Sequence, residues 1–275
     1  MTQHLVVPID GSTTASTGAA VAVALARKTA ATVHLVEVAF SCRDIGPAQA
    51  RLAECAQSLN AVDVEIQTDV RLSGDLVVNG IDEVLEEYPG ALVVMSSHGR
   101  GRSSALIGSV ADDILQSTFG PLLLVGPNAQ VGDFSGPVVA PVDGSTPSEA
   151  ALPLAAAWAI ELGVSPWIVN VMSPSSVLPP SADVADSVYP ARLAHDLTQA
   201  CQHRVEFEEL HGKHPAVTVA GFAADLDASL IVTASHRRSG WSRLAMGSVA
   251  SGFVRHAACP ILMIRPPTPP ATTRR

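Results

Sequence analysis

A chain of 275 residues with 47% hydrophobic and 16% charged content has room for one large or two ordinary domains and excludes a disordered polymer. Its formal net charge of −9 excludes a general binder of nucleic acid or of anionic membrane, which needs a broad basic face. Four cysteines, Cys42, Cys55, Cys201 and Cys259, form no CxxC pair and no zinc-like spacing, so reduced and mostly buried thiols are expected.

The N-terminus lacks the basic-then-apolar layout of a signal peptide, and no apolar run approaches ~18 residues, so a soluble cytoplasmic protein is expected. Residues 5–9 read as a strand, and Ser12 or Thr13 is placed to cap an Ala-rich helix reaching about Lys28. A second apolar strand covers 33–38, a helix 47–59, an alternating and more exposed strand 64–70, and a helix 75–87. Residues 92–95 form a strand, 109–117 a helix with Val110, Ile114 and Leu115 on one face, and 122–125 the closing strand.

Residues 126–136, rich in Gly, Pro, Asn and Asp, form a connection, after which the order repeats. Strands are expected at 138–142, 167–171, 205–210, 230–233 and 261–264, with helices from Pro147 and near 184–203, 217–226 and 249–256. Thr146 reads as a cap, Pro147 as the first helical residue, and Glu149 as the partner of a capping box. Residues 173–186 suggest a mobile surface loop, and the Pro/Thr/Arg tail from Pro266 a disordered end.

The repeat is visible residue by residue. Pro8-Ile9-Asp10-Gly11-Ser12-Thr13 recurs as Pro141-Val142-Asp143-Gly144-Ser145-Thr146 at an offset of 133, and Ser97-His98 as Ser235-His236 at 138. Gly108-Ser109-Val110-Ala111 recurs as Gly247-Ser248-Val249-Ala250 at 139. Two homologous halves follow, with domains over 1–127 and 137–266, a linker over 128–136 and a tail over 267–275. Strands alternating with helices, most of them continuous apolar runs, indicate α/β architecture: two tandem doubly wound parallel-sheet domains.

In such sheets ligands bind beyond the carboxyl ends of the strands, where strand order reverses. Asp10 and Asp143 end the first strands, Val38 and Val171 the second, and a loop rich in Ser, His, Gly and Arg follows the fourth. Each loop ends in Gly-Ser-Val-Ala at the foot of a helix, where unpaired N–H groups favour an anion. Arg100 and Arg102, then Arg237, Arg238 and Arg243, concentrate positive charge there, which suits a small anion better than a polymer. His98 and His236 read as loop histidines bonded to backbone, and Cys259 as core. His211-x-x-His214 sits beside Gly and Pro and is a poor metal pair. There is no Ser/His/Asp elbow, carboxylate pair or metal constellation, so catalytic chemistry has no visible carrier.

The motifs as a set resemble a tandem universal stress protein: Pro8-Ile9-Asp10-Gly11-Ser12, Ser97-His98-Gly99-Arg100-Gly101, Gly108-Ser109-Val110, Ser235-His236, Trp241-Ser242-Arg243, Gly247-Ser248-Val249 and His256-Ala257-Ala258-Cys259-Pro260. The resemblance implies a five-stranded sheet per domain, related to the adenine nucleotide alpha hydrolases, dimerisation through the last strand or the same pairing inside one chain, and in one branch ATP binding with Mg²⁺ beside the triphosphate. It implies a nucleotide site built from Pro8, Asp10, Val38, Ser96, Gly99, Arg100, Gly101, Gly108 and Ser109 in the first half. Pro141, Asp143, Val171, Ala234, Arg237, Gly247 and Ser248 are the counterparts in the second.

Both halves depart from the ATP-binding pattern, Gly-x2-Gly-x9-Gly-[Ser/Thr]. In the first, Ser96 replaces the leading glycine and only eight residues separate Gly99 from Gly108; in the second, Ala234 and Arg237 replace the two leading glycines. Ala234 would put a methyl where the backbone is expected to pass close or take a positive φ. Two functions stay open: a stress-response regulator that binds adenine nucleotide, with protein partners and a homodimer or intramolecular pseudo-dimer, and a nucleotide-independent interaction scaffold. An enzyme of related architecture would need a Mg²⁺-binding carboxylate or nucleophile near the loops.

Overall fold

Runs of Val, Leu and Ile four to eight residues long become the strands of one sheet, because β-branched and apolar side chains suit a pleated surface covered on both faces. The protein is described by a computed structural model for residues 2–97, 108–117, 120–173, 183–234 and 247–265. The first half comprises β1 (His4–Pro8), α1 (Thr13–Thr29), β2 (Thr32–Ala39), α2 (Ile45–Ser58), β3 (Ile66–Leu72), α3 (Val77–Glu87), β4 (Leu92–Ser96), α4 (Ser109–Ser117) and β5 (Leu122–Val125). The second comprises β6 (Val138–Val142), α5 (Thr146–Glu149), α6 (Leu152–Leu162), β7 (Pro166–Met172), α7 (Asp183–Cys201), β8 (Glu206–His211), α8 (Pro215–Asp225), β9 (Leu230–Ala234), α9 (Ser248–His256) and β10 (Ile261–Ile264).

The strands lie in the order β3-β2-β1-β4-β5-β10-β9-β6-β7-β8. Within each half every pairing is parallel, and the strand order reverses between the first strand and the fourth. The halves meet at β5 and β10, which pair antiparallel with Leu122, Leu123 and Leu124 opposite Met263, Leu262 and Ile261. The last-strand pairing that the resemblance implies is thus made inside one chain. Since β5 and β10 run in opposite directions, the carboxyl ends of the first half's strands and those of the second lie on opposite rims of the sheet.

Burial follows position. Leu5, Val6 and Val7 in central β1 are fully covered, whereas the edge strands β3 and β8 are half exposed and carry charge. One core, with α1, α2, α6 and α7, covers one face of the sheet; a second, with α3, α4, α8 and α9, covers the other. Residues 126–137 connect the carboxyl rim of the first half to the amino ends of β6, β9 and β10. Gln130 N–H donates to Ala258 at 2.8 Å, and Ser229 Oγ donates to the Gly136 carbonyl at 2.7 Å.

Ser12 caps α1 as expected, its Oγ accepting from Ala15 N–H at 3.1 Å, and Arg27 and Lys28 lie in the last turn, where the helix dipole favours cations. The start of the second half differs from the expectation. Ser145, not Thr146, is the cap, accepting from Ser148 N–H at 3.3 Å, so Pro147 is the second helical residue. The helix is then interrupted before Leu152, where Pro153 enters the first turn of α6. Glu149 makes no capping box; its carboxylate accepts the Tyr189 hydroxyl at 2.8 Å. The loop expected over 173–186 lies largely outside the described residues, but α7 begins within it, at Asp183. The tail from Pro266 lies outside them too.

Candidate functional site

The carboxyl rim of each half is built from the chain turns that leave its strands. At the end of β1 the Asp10 carboxylate accepts the Ser12 N–H at 2.9 Å, while Gly11, at φ 76°, makes the left-handed step that a side chain would oppose. Gly144 makes the same step at φ 81°, with Asp143 Oδ1 accepting both Ser145 N–H at 3.0 Å and Ser145 Oγ–H at 2.6 Å. Each aspartate therefore shapes its own turn. Among the described residues the second carboxylate oxygen of Asp10 has no partner.

Pro8 and Pro141 are half-buried in the strands that deliver these turns. Val38 and Val171 lie near the ends of β2 and β7 and pack partly buried against the α3/α8 face of the sheet. Gly80 of α3 stands so close to Val38 that a methyl group there would lie 2.8 Å from Val38 Cγ2. Val171 follows Asn170, whose amide donates to the Val142 carbonyl at 2.8 Å and ties the end of β7 to the end of β6.

The fourth strand reaches the first turn directly. Ser96 Oγ donates to the Thr14 carbonyl in the first turn of α1, and Gly18 of the same helix packs against the Ser96 backbone. Ser97, 1% exposed, donates its N–H to Val125 at 2.9 Å and accepts the Gly108 N–H at 2.8 Å. Those bonds fix both ends of the intervening loop. Gly108 then accepts the first helical bond of α4, from Asp112 at 3.0 Å. In the second half, Gly247 caps α9 with no side-chain acceptor, and exposed Ser248 begins the helix.

Asp10, Ser96 and Gly108 are thus joined to one rim by direct bonds and packing through Thr14 and Ser97. Gly99, Arg100, Gly101 and Arg237, with His98, His236 and the other loop arginines, lie outside the described residues. Ala234 is ordinary strand, with no positive φ, and its methyl is buried at 2% exposure, so the anticipated backbone strain is absent. It cannot make the hydroxyl contact of its counterpart Ser96. His211 ends β8 at 3.7 Å from Glu209, and His214 precedes α8; no group of three or more metal-ligating side chains occurs among the described residues. Cys259 is buried as expected, and desolvation pushes its thiol up to about 12.

One participant was not legible in the motifs. Tyr189 of α7 donates its hydroxyl to Glu149 at 2.8 Å, beside the second half's turn, while Ser148 Oγ takes the Asp143 N–H at 3.2 Å. Burial and the neighbouring carboxylate push the Tyr189 phenol up to about 12. The available signal was Tyr189 being one of only two tyrosines in the chain, on a helix facing a conspicuous turn.

Two fused, doubly wound α/β units, each with an Asp-Gly-Ser turn and a fourth-strand loop on its carboxyl rim, define the class. The chain belongs to the universal stress protein family: the family model matches residues 1–126 and again 135–265. A universal stress protein of Mycolicibacterium smegmatis is 27% identical over 229 residues, covering 81% of this chain and 76% of that protein. The fold is shared with a universal stress protein from Archaeoglobus fulgidus at TM-score 0.71 and 19% identity, covering 96% of this chain and 99% of the other. A protein of unknown function from Pseudomonas aeruginosa shares it at TM-score 0.65 and 16% identity, covering 96% and 93%. No helix among the described residues is long and apolar enough to cross a membrane.

Proposed function

We propose that the protein binds an adenine nucleotide, ATP in the first instance, at the carboxyl rim and acts as a cytoplasmic stress-response regulator whose partner choice follows occupancy. The single observation that carries this reading is the Ser96–Thr14 hydrogen bond, which holds the end of β4 against the first turn of α1, just past the Asp10 turn, at the point where strand order reverses. A ligand seated there meets the Asp10 carboxylate, the half-buried Val38 and the start of α4 together. Asp10 suits a ribose hydroxyl, the apolar surface at Val38 suits a base, and the Gly108-Ser109 helix start suits phosphate. Asp143 and Gly247-Ser248 are retained at the corresponding places of the second rim.

The acceptor-only carboxylate of Asp10 fits a hydroxyl donor or a hydrated Mg²⁺ carried in with the triphosphate. Mg²⁺ would neutralise phosphate charge; the chain's own residues bind and orient. A nucleotide that orders the rim in one arrangement shifts the population of that arrangement, which is how occupancy would reach a partner. The competing role, a scaffold indifferent to nucleotide, draws support from the broken glycine spacing.

The test is the nucleotide released on denaturing the purified full-length protein, followed by melting curves with ATP, ADP, AMP and cyclic AMP. Bound adenine nucleotide, or a melting temperature that climbs with ligand concentration and is insensitive to it in Asp10→Ala, supports the regulator. An empty protein with an unmoved melting temperature sinks it and leaves the scaffold.

A further inference from the structure

The two carboxyl rims lie on opposite sides of the sheet, yet one helix touches both. α9 leaves the second rim at Gly247 and runs back toward the amino end of β10, whose first residue, Ile261, pairs with Leu124 near the carboxyl end of β5. Its nine residues span about 13 Å, the same length as the four-residue β5. The last turn of α9 therefore arrives at the first half's carboxyl rim, where the chain leaves β5 through Gly126 and Asn128.

A helix leaves its last carbonyls without intrahelical partners, and here the other half supplies what they meet. Asn128 Nδ2 donates to the Arg255 carbonyl at 2.8 Å. Gly126 lies so close to the Val254 carbonyl that a Cβ would stand 2.0 Å from its oxygen. Gly126 in turn follows Val125, which pairs with Ser96 and accepts the Ser97 N–H at 2.9 Å. Ser96 bonds the first turn of α1, and Ser97 accepts the N–H of Gly108, where α4 begins. A chain of bonds and contacts thus runs from the Asp10 side of the first rim, through the ends of β4 and β5, to the last turn of α9. Ala250, Phe253 and Val254 of α9 also share one core with Ala111, Ile114 and Leu115 of α4, and close packing carries a shift of one helix to its neighbours.

We infer that α9 is the relay by which occupancy of the first rim reaches the second half, and that Asn128 is the positioning residue that couples it. This inference rests on the nucleotide reading above and gives it a route. A nucleotide that orders the Asp10 turn, the end of β4 and the start of α4 favours the arrangement in which residues 125–128 are fixed. Asn128 passes that preference to the helix end by holding the Arg255 carbonyl. The response then emerges along α9, in the half that does not hold the ligand.

The experiment uses the intact chain, with ATP binding measured by calorimetry and amide hydrogen exchange read over residues 93–97, at the first rim, and 250–257, at the end of α9. Saturating ATP is expected to slow exchange in both segments of the wild type, by roughly fivefold at the end of α9, the worth of one neutral hydrogen bond. In Asn128→Ala, ATP still binds and still slows 93–97, but 250–257 no longer responds. Asn128 is exposed, so its truncation spares the core, and Asn128→Asp, the same shape without the donor, should behave alike. A merely structural role for Asn128 would raise exchange in 250–257 equally with and without ATP and leave the response to ATP intact. ATP that binds the wild type without slowing 250–257, or that slows it as much in Asn128→Ala, overturns the relay and leaves the nucleotide reading standing. Absence of any ATP binding overturns that reading, and the relay with it.

Discussion

Gly80 and Val38 are in contact across the gap between α3 and β2: a methyl group on Gly80 would lie 2.8 Å from Val38 Cγ2, 3.1 Å from its Cγ1 and 3.2 Å from Arg71 Cβ. The helix thus sets the position of the second strand's end. Gly80→Ala gains helix propensity of about 1 kcal/mol and meets overpacking of about 1–3 kcal/mol. Expected is a melting temperature lowered by a few degrees at most, with ATP affinity reduced several-fold because Val38 is displaced. Affinity equal to wild type in a folded Gly80→Ala protein counts against Val38 as a ligand contact.

Acid should weaken the fold through His34. This ring is 3% exposed, sits 3.0 Å from the His4 ring (Nε2 to Nδ1), and stacks at 4.2 Å from Tyr88. Desolvation, then His4, hold its pKa below the ordinary 6.5, against the opposing pull of Glu65 and Asp69. The unfolded chain therefore binds this proton more readily, and stability rises with pH from the folded value up to about 6.5. Urea midpoints at pH 5.5 and 7.5 should differ in wild type and converge in His34→Leu; an unchanged difference in the variant removes His34 as the cause.

Glu37 is buried on β2, and Arg51 of α2 is its partner, with Nε 3.0 Å from Oε1 and 3.2 Å from Oε2. Arg51→Ala strands that carboxylate. The cost should be about 2–3 kcal/mol, below the full penalty of a broken buried pair because the Arg51 side chain is 36% exposed. Removing both charges in Glu37→Gln/Arg51→Met should recover much of the loss. Denaturant titration of the three variants checks the order, and a double variant no better than Arg51→Ala would contradict it.

The junction between halves has its own sensitive point. A Cβ on Gly126 would fall 2.0 Å from the Val254 carbonyl oxygen, a clash with backbone that no rotamer relieves. Gly126→Ala should destabilise by at least about 2 kcal/mol and should lose, more than any site variant, the single cooperative melting transition. Scanning calorimetry distinguishes one transition from two, and a wild-type profile means that the junction adapts.

Much of this architecture was readable because buried parallel strands are continuous apolar runs, so β5, β6 and β10 begin and end where the residues indicate. Edge strand β3 was read two residues early, because its exposed residues carry little pattern. The second helix start was misread for a local reason. Ser145 and Thr146 are adjacent hydroxyls with equal claims to the cap, and only the backbone decides between them. Glu149 was assigned to a capping box because its true partner, Tyr189, lies forty residues away. At the site, the Asp-Gly-Ser turns were visible as repeated letters, but their unequal surroundings were not. Ala15 in the place of Ser148, and the partnership of Glu149 with Tyr189, become meaningful only when helices are packed.

The connection through residues 126–137 never crosses the sheet, because antiparallel pairing of β5 with β10 brings the end of one half and the start of the other to the same rim. Such a tether turns the meeting of the halves into an intramolecular event, with an effective concentration on the order of millimolar. Pairing along β5 and β10 is then insensitive to dilution of the protein. On the nucleotide reading proposed above, its response would then follow the ligand and not the protein's own abundance.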